Sequence, residues 1–482
     1  MTKPACRLPK RTDGIDSPLG MRVLSATQRL TLGLLAVSAF GSSLAAPPRQ
    51  ERGGWVYVRL EGSPNRIGFT YGSQLAPEID DAIRMEKMYL KATTKQEWSF
   101  YREASQRMFW RKLDPEYKAE ISGIAAGMRS RGYKYDANDL LAHNSWIELA
   151  WYYEPLWESH HKKAQLVSKA PDSCSAFIAT GSQTKDGKIV MAHNAWIDYV
   201  VGERWNAILD IHPTHGHRIL MDAIPGFIHS GDDFAVSSAG IMVTETTIAG
   251  AVGFDVNGTP EFERMRRAIQ YSDNLDDFAR IMTKGNNGGY ANTWLVGDTK
   301  SNEIGELQLA LKNVVFRRSS EGAYVSANFP QDPKLIAEDC EMDVNKGSTM
   351  CSDRHTRWNT LMKQYKGKID AKAAMAFLAD HHNEVTGADG SSASTLCGHW
   401  ETDSRKGFVA PFPDYTPGGS VQGKVTTSDM ANKMSFWARL GHPCGDEFLV
   451  GPFLEQHPEF KWELPFLHDM KAHPWTLFAA KP

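Results

Sequence analysis

The sequence predicts an α+β fold, and three observations carry that prediction. Apolar residues recur at helical spacing from Gly68 to about Trp151. Strand–turn–strand patterns follow from Ser175 to about Ile248. Helix, strand and helix blocks then alternate as far as Asp380. Strands grouped between blocks of helices point to sheets covered by helical layers, not to a βαβ repeat. The chain has 482 residues, 41% hydrophobic and 10% aromatic, enough for a large core. Its formal net charge is -3 and it holds no basic block. Nothing in that balance argues for a nucleic-acid partner held by electrostatics.

Residues 1–45 stand apart from the fold. From Met21 the chain reads MRVLSATQRLTLGLLAVSAFGSSLAAPP. Arg22 and Arg29 make a positive region, Leu30 to Phe40 an apolar core, and Ser43-Leu44-Ala45 a small-x-small cleavage site. This is the pattern of a secretory signal peptide, too short to span a bilayer. It puts the true start at Met21 and the mature protein in the periplasm or outside the cell.

Residues 46–173 read as a helical segment. GSQLAPEIDDAIRMEKMYLKA places Leu75, Ile79, Ile83, Met85 and Met88 at helical spacing, and Asp136 is a natural N-cap for DANDLLAHNSWIELAW. The polar stretch ESHHKKAQLVSKAPDS closes the segment as an exposed loop. At Cys174 the texture changes. Ser175 to Thr180 is a strand, the Asp-Gly of TKDGK turns a hairpin, and Lys188 to His193 returns. RWNAILDI and RILMDAI form a second pair around HPTHGH. DFAVSSAGIMVTETTI forms a third, turning at Ser238-Ala239-Gly240. A helix pair from Glu261 to Lys284, strands in ANTWLVGDTKSNEIGELQLALKNVVFRRS and helix from Ser352 to Asp380 complete the pattern.

Export sets the redox context for six cysteines. Cys6 precedes the mature chain, so an odd number remains. Four can pair in an oxidising compartment, with three connectivities possible. Proximity in sequence favours Cys340–Cys351 and Cys397–Cys444, and five buried thiols are the alternative. The cysteine left over is Cys174, at the front edge of a strand and just after a polar loop. A lone strand cysteine is most often a core thiol. Here the odd count, the abrupt change of texture and the long helical segment before it favour a nucleophile. If the chain is cut between Ser173 and Cys174, the new α-amine lies beside the thiol. With a pKa of about 8 in model peptides, that amine can take the thiol proton without a separate histidine base. The same thiol can make the cut. Sγ attacks the Ser173 carbonyl, the acyl group moves from nitrogen to sulfur, and water releases the upstream segment. The small side chains of Ser173 and Ser175 leave room for that step.

DSCSAF with VMAHNAW, then IPGFIHSGDDFAVSSAGIMVTETTI, then GGYANTW, resembles the phospholipase-B-like proteins, which are N-terminal-nucleophile (Ntn) hydrolases. CSDRHTRW, STLCGHW and GHPC resemble the related acyl-CoA:penicillin acyltransferase type of autoproteolytic acyl hydrolase. The resemblance runs in scattered blocks from Asp172 to Cys444. It implies a four-layer αββα Ntn-hydrolase sandwich of antiparallel sheets and autocleavage before Cys174. Residues 46–173 become a prosegment that stays packed on a catalytic domain of residues 174–482. An amide or ester acyl bond is cleaved through a thioester on Cys174. The expected substrate is a small acyl compound, a lipid or N-acyl amide, and no cofactor is expected.

The same resemblance assigns roles. His193, beside the strand that begins at Cys174, tunes the thiolate or the α-amine. Thr246 lines the nucleophile pocket, and Glu245, if buried near it, needs a partner. The amide of Asn292 suits an oxyanion hole. Arg354, favoured over Arg357, faces the site and holds the new terminus or a substrate anion. Alternatives are transfer of the acyl group to an amine, and an exported binding protein that keeps the fold without catalysis. A metallohydrolase is a third. The histidine groups His212, His215, His217 and Asp380, His381, His382 lack His-Glu-x-x-His or cysteine-pair spacing, so no metal is expected.

Overall fold

Alternating buried runs in the chain build two sheets stacked face to face. The computed structural model describes residues 49–170, 174–231, 234–341, 347–409 and 411–481. The signal-peptide reading and Ser173 lie outside the described residues. In chain order the strands are β1 (Gln50–Arg52), β2 (Trp55–Gly62), β3 (Ser175–Thr180), β4 (Val190–Asp198), β5 (Ala207–Pro213), β6 (Ile219–Ala223), β7 (Ala235–Ser237), β8 (Ile241–Thr247) and β9 (Asn292–Asp298). Then come β10 (Glu303–Leu309), β11 (Val314–Ser319), β12 (Gly322–Ser326), β13 (His382–Asn383), β14 (Ala388–Asp389), β15 (Gly418–Thr427), β16 (Ser435–Leu440) and β17 (Thr476–Ala479). The larger sheet runs β1-β2-β5-β6-β7-β8-β9-β10-β11 and the smaller β12-β3-β4-β15-β16-β17, with β13 and β14 a separate ribbon.

Helices before β3 are α1 (Pro64–Gln74), α2 (Ala76–Thr94), α3 (Trp98–Met108), α4 (Pro115–Ser130), α5 (Ala137–Glu148) and α6 (Glu154–His161). After it come α7 (Tyr199–Gly202), α8 (Glu261–Tyr271), α9 (Leu275–Thr283), α10 (Pro333–Asp339), α11 (Met350–Gln364), α12 (Ala371–Leu378), α13 (Ser428–Ala431) and α14 (Val450–Gln456).

Strand alternation sorts the side chains into layers. Ala176, Ile178 and Met191 of the smaller sheet meet Ile208, Leu220, Val236, Met242 and Leu295 of the larger in an apolar inner core. The other face of the larger sheet, with Leu209, Met221, Val243 and Trp294, packs on Tyr71, Ile79, Leu141, Met265 and Phe278 of the surrounding helices. The other face of the smaller sheet, with Phe177, Ala192 and Val425, packs on Trp358 and Leu361 of α11 and Phe377 of α12. The order is helix, sheet, sheet, helix, which is the four-layer αββα arrangement. Strands β3, β4, β8 and β9 are buried along their whole length, so their hydrophobic runs show no polar face.

Two features differ from the sequence reading. The sheets are not purely antiparallel, because β2 lies parallel to β5. That strand comes from the segment read as helical throughout. WVYVRLEG is rich in β-branched and aromatic residues, and it fills a sheet position beside the meander. Residues 46–173 therefore supply part of the larger sheet as well as its helical cover. Within that cover α1 crosses α4 at backbone contact: a Cβ on Gly68 or Gly72 would overlap the carbonyl of Glu120 or Ile124.

The second difference concerns sulfur. No disulfide joins Cys340 to Cys351 or Cys397 to Cys444, so the expected pairs are not formed. Cys340 follows α10 and bridges Ala251 through its backbone, while Cys351 is buried in α11 beside Ala249. Proximity in sequence did not aim those two side chains at each other. No helix among the described residues is long and apolar enough to cross a membrane.

Candidate active site

Cys174 stands one residue before β3 and is 3% exposed. Its φ is 105°, in a region that side chains rarely adopt. Such a conformation costs on the order of 1–3 kcal/mol and persists only where the surroundings enforce it. Arg354 is one enforcer. It projects from α11, whose start is fixed by a capping box between Thr349 and Ser352. One guanidinium nitrogen donates to the Cys174 carbonyl and, at 3.0 Å, to Ser175 Oγ. The other donates to Asn328 Oδ1 at 2.9 Å, and Nε donates to the Met350 carbonyl at 2.9 Å. The plane lies over Trp196, 4.2 Å from the ring centre. Arg357, one helical turn on, points away and pairs with Asp380 and Glu384. The two arginines the sequence singled out thus bind different partners.

His193 sits on β4 directly opposite Ala176 of β3 and Lys424 of β15. The Cys174 sulfur, a His193 ring nitrogen and a Glu245 carboxylate oxygen all lie within 4.8 Å of one another. Neither ring nitrogen of His193 makes a well-formed hydrogen bond among the described residues. Burial, and then the Lys424 charge, hold its imidazole well below the usual range, so it is neutral. Lys424 Nζ donates to Asp222 Oδ2 at 2.8 Å, an ion pair with no exposure on either side.

Glu245 at the end of β8 is held from two sides. Tyr290 Oη donates to Oε1 at 3.2 Å. With the Asn292 amide turned to satisfy its neighbours, Nδ2 donates to Glu245 Oε2 at 2.7 Å and to the Ala291 carbonyl at 3.0 Å. Both Nδ2 hydrogens of Asn292 are therefore engaged, which bears on its expected oxyanion role. Thr246 Oγ1 lies 2.5 Å from Ser326 Oγ and accepts from the Asn328 backbone N–H at 3.3 Å. Asn328 Nδ2 in turn donates to the Thr247 carbonyl at 2.8 Å. Thr246 thus fixes Asn328, which fixes Arg354, which holds Cys174.

Cys174, His193, Asn292 and Arg354 converge, with Thr246 behind them, linked to Arg354 through Asn328. Ser173 is not described, and HPTHGH lies elsewhere, with His217 paired to Asp273. Sequence reasoning missed Asn328, Lys424, Asp222 and the role of Tyr290. Tyr290 stood inside a quoted block, GGYANTW. The other three carry no local motif, because only the stacking of two sheets and α11 brings them in.

A cleft of about 740 Å³ opens nearby, with Leu90, Trp151, Phe412, Phe460 and Trp462 among its walls. Its wall residue Trp151 packs 5.9 Å from the ring of Tyr290, whose hydroxyl bonds Glu245. Two acids line it. Burial, then Asp198 and Glu203, push the Glu463 carboxyl up to about 9. Burial raises Asp198 to about 6 against the opposing hydrogen bond from Tyr89 Oη at 2.7 Å.

Between pH 4.5 and about 9 an unfolded Glu463 has lost a proton that the folded one keeps. Stability therefore falls as pH rises through that window, by up to about 1.4 kcal/mol per pH unit for one proton. Glu463→Gln should flatten the slope measured from urea midpoints between about pH 5 and about pH 8. Equal slopes in variant and wild type would remove this account of Glu463.

The family model described as phospholipase B matches residues 80–381. Phospholipase B-like 1 of Homo sapiens is 24% identical over 322 residues, covering 60% of this chain and 54% of that protein. Phospholipase B-like 1 of Bos taurus is 24% identical over 430 residues, covering 78% of this chain and 75% of that protein. The chain thus spans about half the length of the human relative, at 54%. Among solved structures, penicillin V acylase from Agrobacterium tumefaciens overlaps with a TM-score of 0.33 at 11% identity, over 55% of this chain and 83% of that one. That overlap is too loose to bear on chemistry. With the family model covering well over half the sequence, the chain belongs to the phospholipase B family.

Proposed function

We propose that this protein is an exported, self-cleaving acyl hydrolase whose nucleophile is the thiol of Cys174. The observation that carries this reading is the meeting of Cys174 Sγ, His193 and Glu245 within 4.8 Å, with the Cys174 carbonyl clamped by Arg354. In the uncut chain Sγ attacks the Ser173 carbonyl, the C–N bond breaks, and the freed amine takes a proton. Water then cleaves the thioester, leaving a Ser173 carboxylate and a Cys174 bearing both thiol and α-amine. Relief of the strained φ at Cys174 favours the cut.

The identity of the proton acceptor follows from charge. Protonating His193 would set an imidazolium beside the Lys424 ammonium, so His193 stays neutral and serves as a polar wall. Glu245 is the acceptor within reach before cleavage, and the α-amine takes over after it. When the ammonium form of that amine pairs with Glu245, Asn292 Nδ2 loses its carboxylate acceptor. One N–H is then free to face the oxygen of the tetrahedral intermediate. The cycle closes when water hydrolyses the substrate thioester.

The substrate class we infer is a lipid or N-acyl amide with a long apolar chain. The apolar cleft beside Tyr290 supports this, being in the size range of small-molecule sites. The name phospholipase B borne by relatives points the same way. Purified exported protein should run as two fragments on a denaturing gel, the larger beginning at Cys174. It should release fatty acid from at least one of a lysophospholipid, a diacyl phospholipid and an N-acyl amino acid. An intact chain that turns over these compounds at full rate would refute the reading.

A further inference from the structure

Three pieces of sequence play no part in the chemistry above: DHH, STLCGHW and GHPC. The fold brings them together. His381 follows α12, Cys397 and His399 lie in the loop before β15, and Cys444 follows β16. One ring nitrogen from each histidine and both sulfurs lie within 4.8 Å of one another. We propose that His381, Cys397, His399 and Cys444 form a tetrahedral site for zinc or a cation of the same chemistry.

Distances favour a common centre. Ligands at about 2.3 Å for sulfur and about 2.0–2.1 Å for nitrogen, arranged tetrahedrally, lie about 3.5 Å apart. His399 Nε2 is 3.7 Å from Cys397 Sγ and 3.7 Å from Cys444 Sγ. The donor set also fits: two thiolates balance a divalent charge, and two imidazoles complete the shell. His399 carries the support that metal-bound histidines usually have. Its Nδ1 lies 3.1 Å from Glu401 Oε1, and Glu401 Oε2 accepts from Tyr199 Oη at 2.6 Å. Nε2 of His381 is a buried ring nitrogen without a hydrogen-bond partner among the described residues.

Two rival arrangements fit less well. A Cys397–Cys444 disulfide, the sequence expectation, would leave His399 Nε2 facing two sulfurs that carry no charge. A site from His399, Glu401 and His442 fails on direction. The His399 and His442 rings are stacked 4.0 Å apart at 30°, so their nitrogen lone pairs run side by side instead of meeting.

Four protein ligands leave no open position for substrate or water, so the role is structural. Asn194 Nδ2 on β4 donates at 2.8 Å to the Leu378 and Leu396 carbonyls, beside the ligands. In the same loop Ser394 Oγ donates to Asp353 Oδ2 at 2.6 Å, one residue before Arg354. A bound cation would pin the loop that braces α11, and α11 holds Cys174. The ligands escaped sequence reading because Cys397 and Cys444 lack the close cysteine-pair spacing of a zinc motif and three separate segments contribute.

The test uses the full purified protein, stripped with chelator under reducing conditions and reloaded with zinc or cobalt(II). Elemental analysis should find about one cation per chain, and cobalt should show the intense visible bands of a tetrahedral thiolate site. Cys444→Ser and His381→Ala should each bind at least about tenfold more weakly. Zinc should raise the melting temperature of wild type but not of these variants. Cys174→Ala should bind the cation as wild type does, which keeps this test separate from the proposed hydrolase chemistry. Binding below about a tenth of an equivalent by reduced wild type would overturn the proposal. So would cobalt spectra without thiolate bands, or an intact mass short by two hydrogens with Cys397 linked to Cys444.

Discussion

Cys174→Ala should leave one uncut chain with acyl-hydrolase turnover reduced on the order of 10³-fold or more. The alanine keeps the fold. The side chain is 3% exposed at the edge of the inner core, and losing one sulfur opens little space. It removes both the attacking atom and any means of making the new terminus. Cys174→Ser separates those functions. A hydroxyl is a far weaker nucleophile than a thiol at neutral pH, so cleavage should slow markedly without ceasing. Two readouts settle the matter: the fraction of cut chain against time on a denaturing gel, and fatty-acid release by each preparation. Clean cleavage in the alanine variant would end the idea of self-processing at this residue. Full turnover by an uncut alanine variant would end its role as nucleophile.

Much of the fold could be read from the chain. Ser175–Thr180, the Asp-Gly turn, the Ser238-Ala239-Gly240 turn and the helix pair after Pro260 all carry local signals, and the structure has them. Strand β2 escaped because WVYVRLEG stands alone before a long helical stretch, and its sheet partner β5 lies about 150 residues away. The site divides in the same way. Cys174 and His193 are near in sequence, and the hairpin between them makes their proximity predictable. Asn328 has no motif, and its place depends on α11 presenting Arg354 from the far side of the smaller sheet. The cysteines show the limit most plainly. Counting them suggested covalent pairs, whereas the fold surrounds two of them with imidazoles. Composition records which donors a chain has, and only tertiary structure records which donors share a centre.

Lys424→Met should destabilise the protein by about 3–5 kcal/mol, because it leaves the Asp222 carboxylate buried without its cation. The pair joins β15 in the smaller sheet to β6 in the larger, so it is part of what registers one sheet on the other. Asp222 Oδ1 also accepts from Ser230 Oγ at 2.7 Å, and one hydroxyl cannot replace an ammonium. The double variant Lys424→Met/Asp222→Leu should recover most of the loss. Replacing both charges of a buried pair by apolar groups of similar size is often neutral or stabilising, whereas removing one is not. Urea midpoints of the two single variants and the double would measure the coupling. Turnover should not follow stability. Without the ammonium, His193 loses the second of the two influences that keep it neutral, and burial alone remains. Its pKa then rises towards the ordinary histidine value of about 6.5. The acid limb of kcat/KM should move downward in pH in the double variant, since a charged His193 beside Cys174 opposes protonation of the α-amine and keeps that base free at lower pH. A double variant no more stable than Lys424→Met would show that the pair is not what joins the sheets. An unmoved acid limb would show that Lys424 does not set the charge of His193.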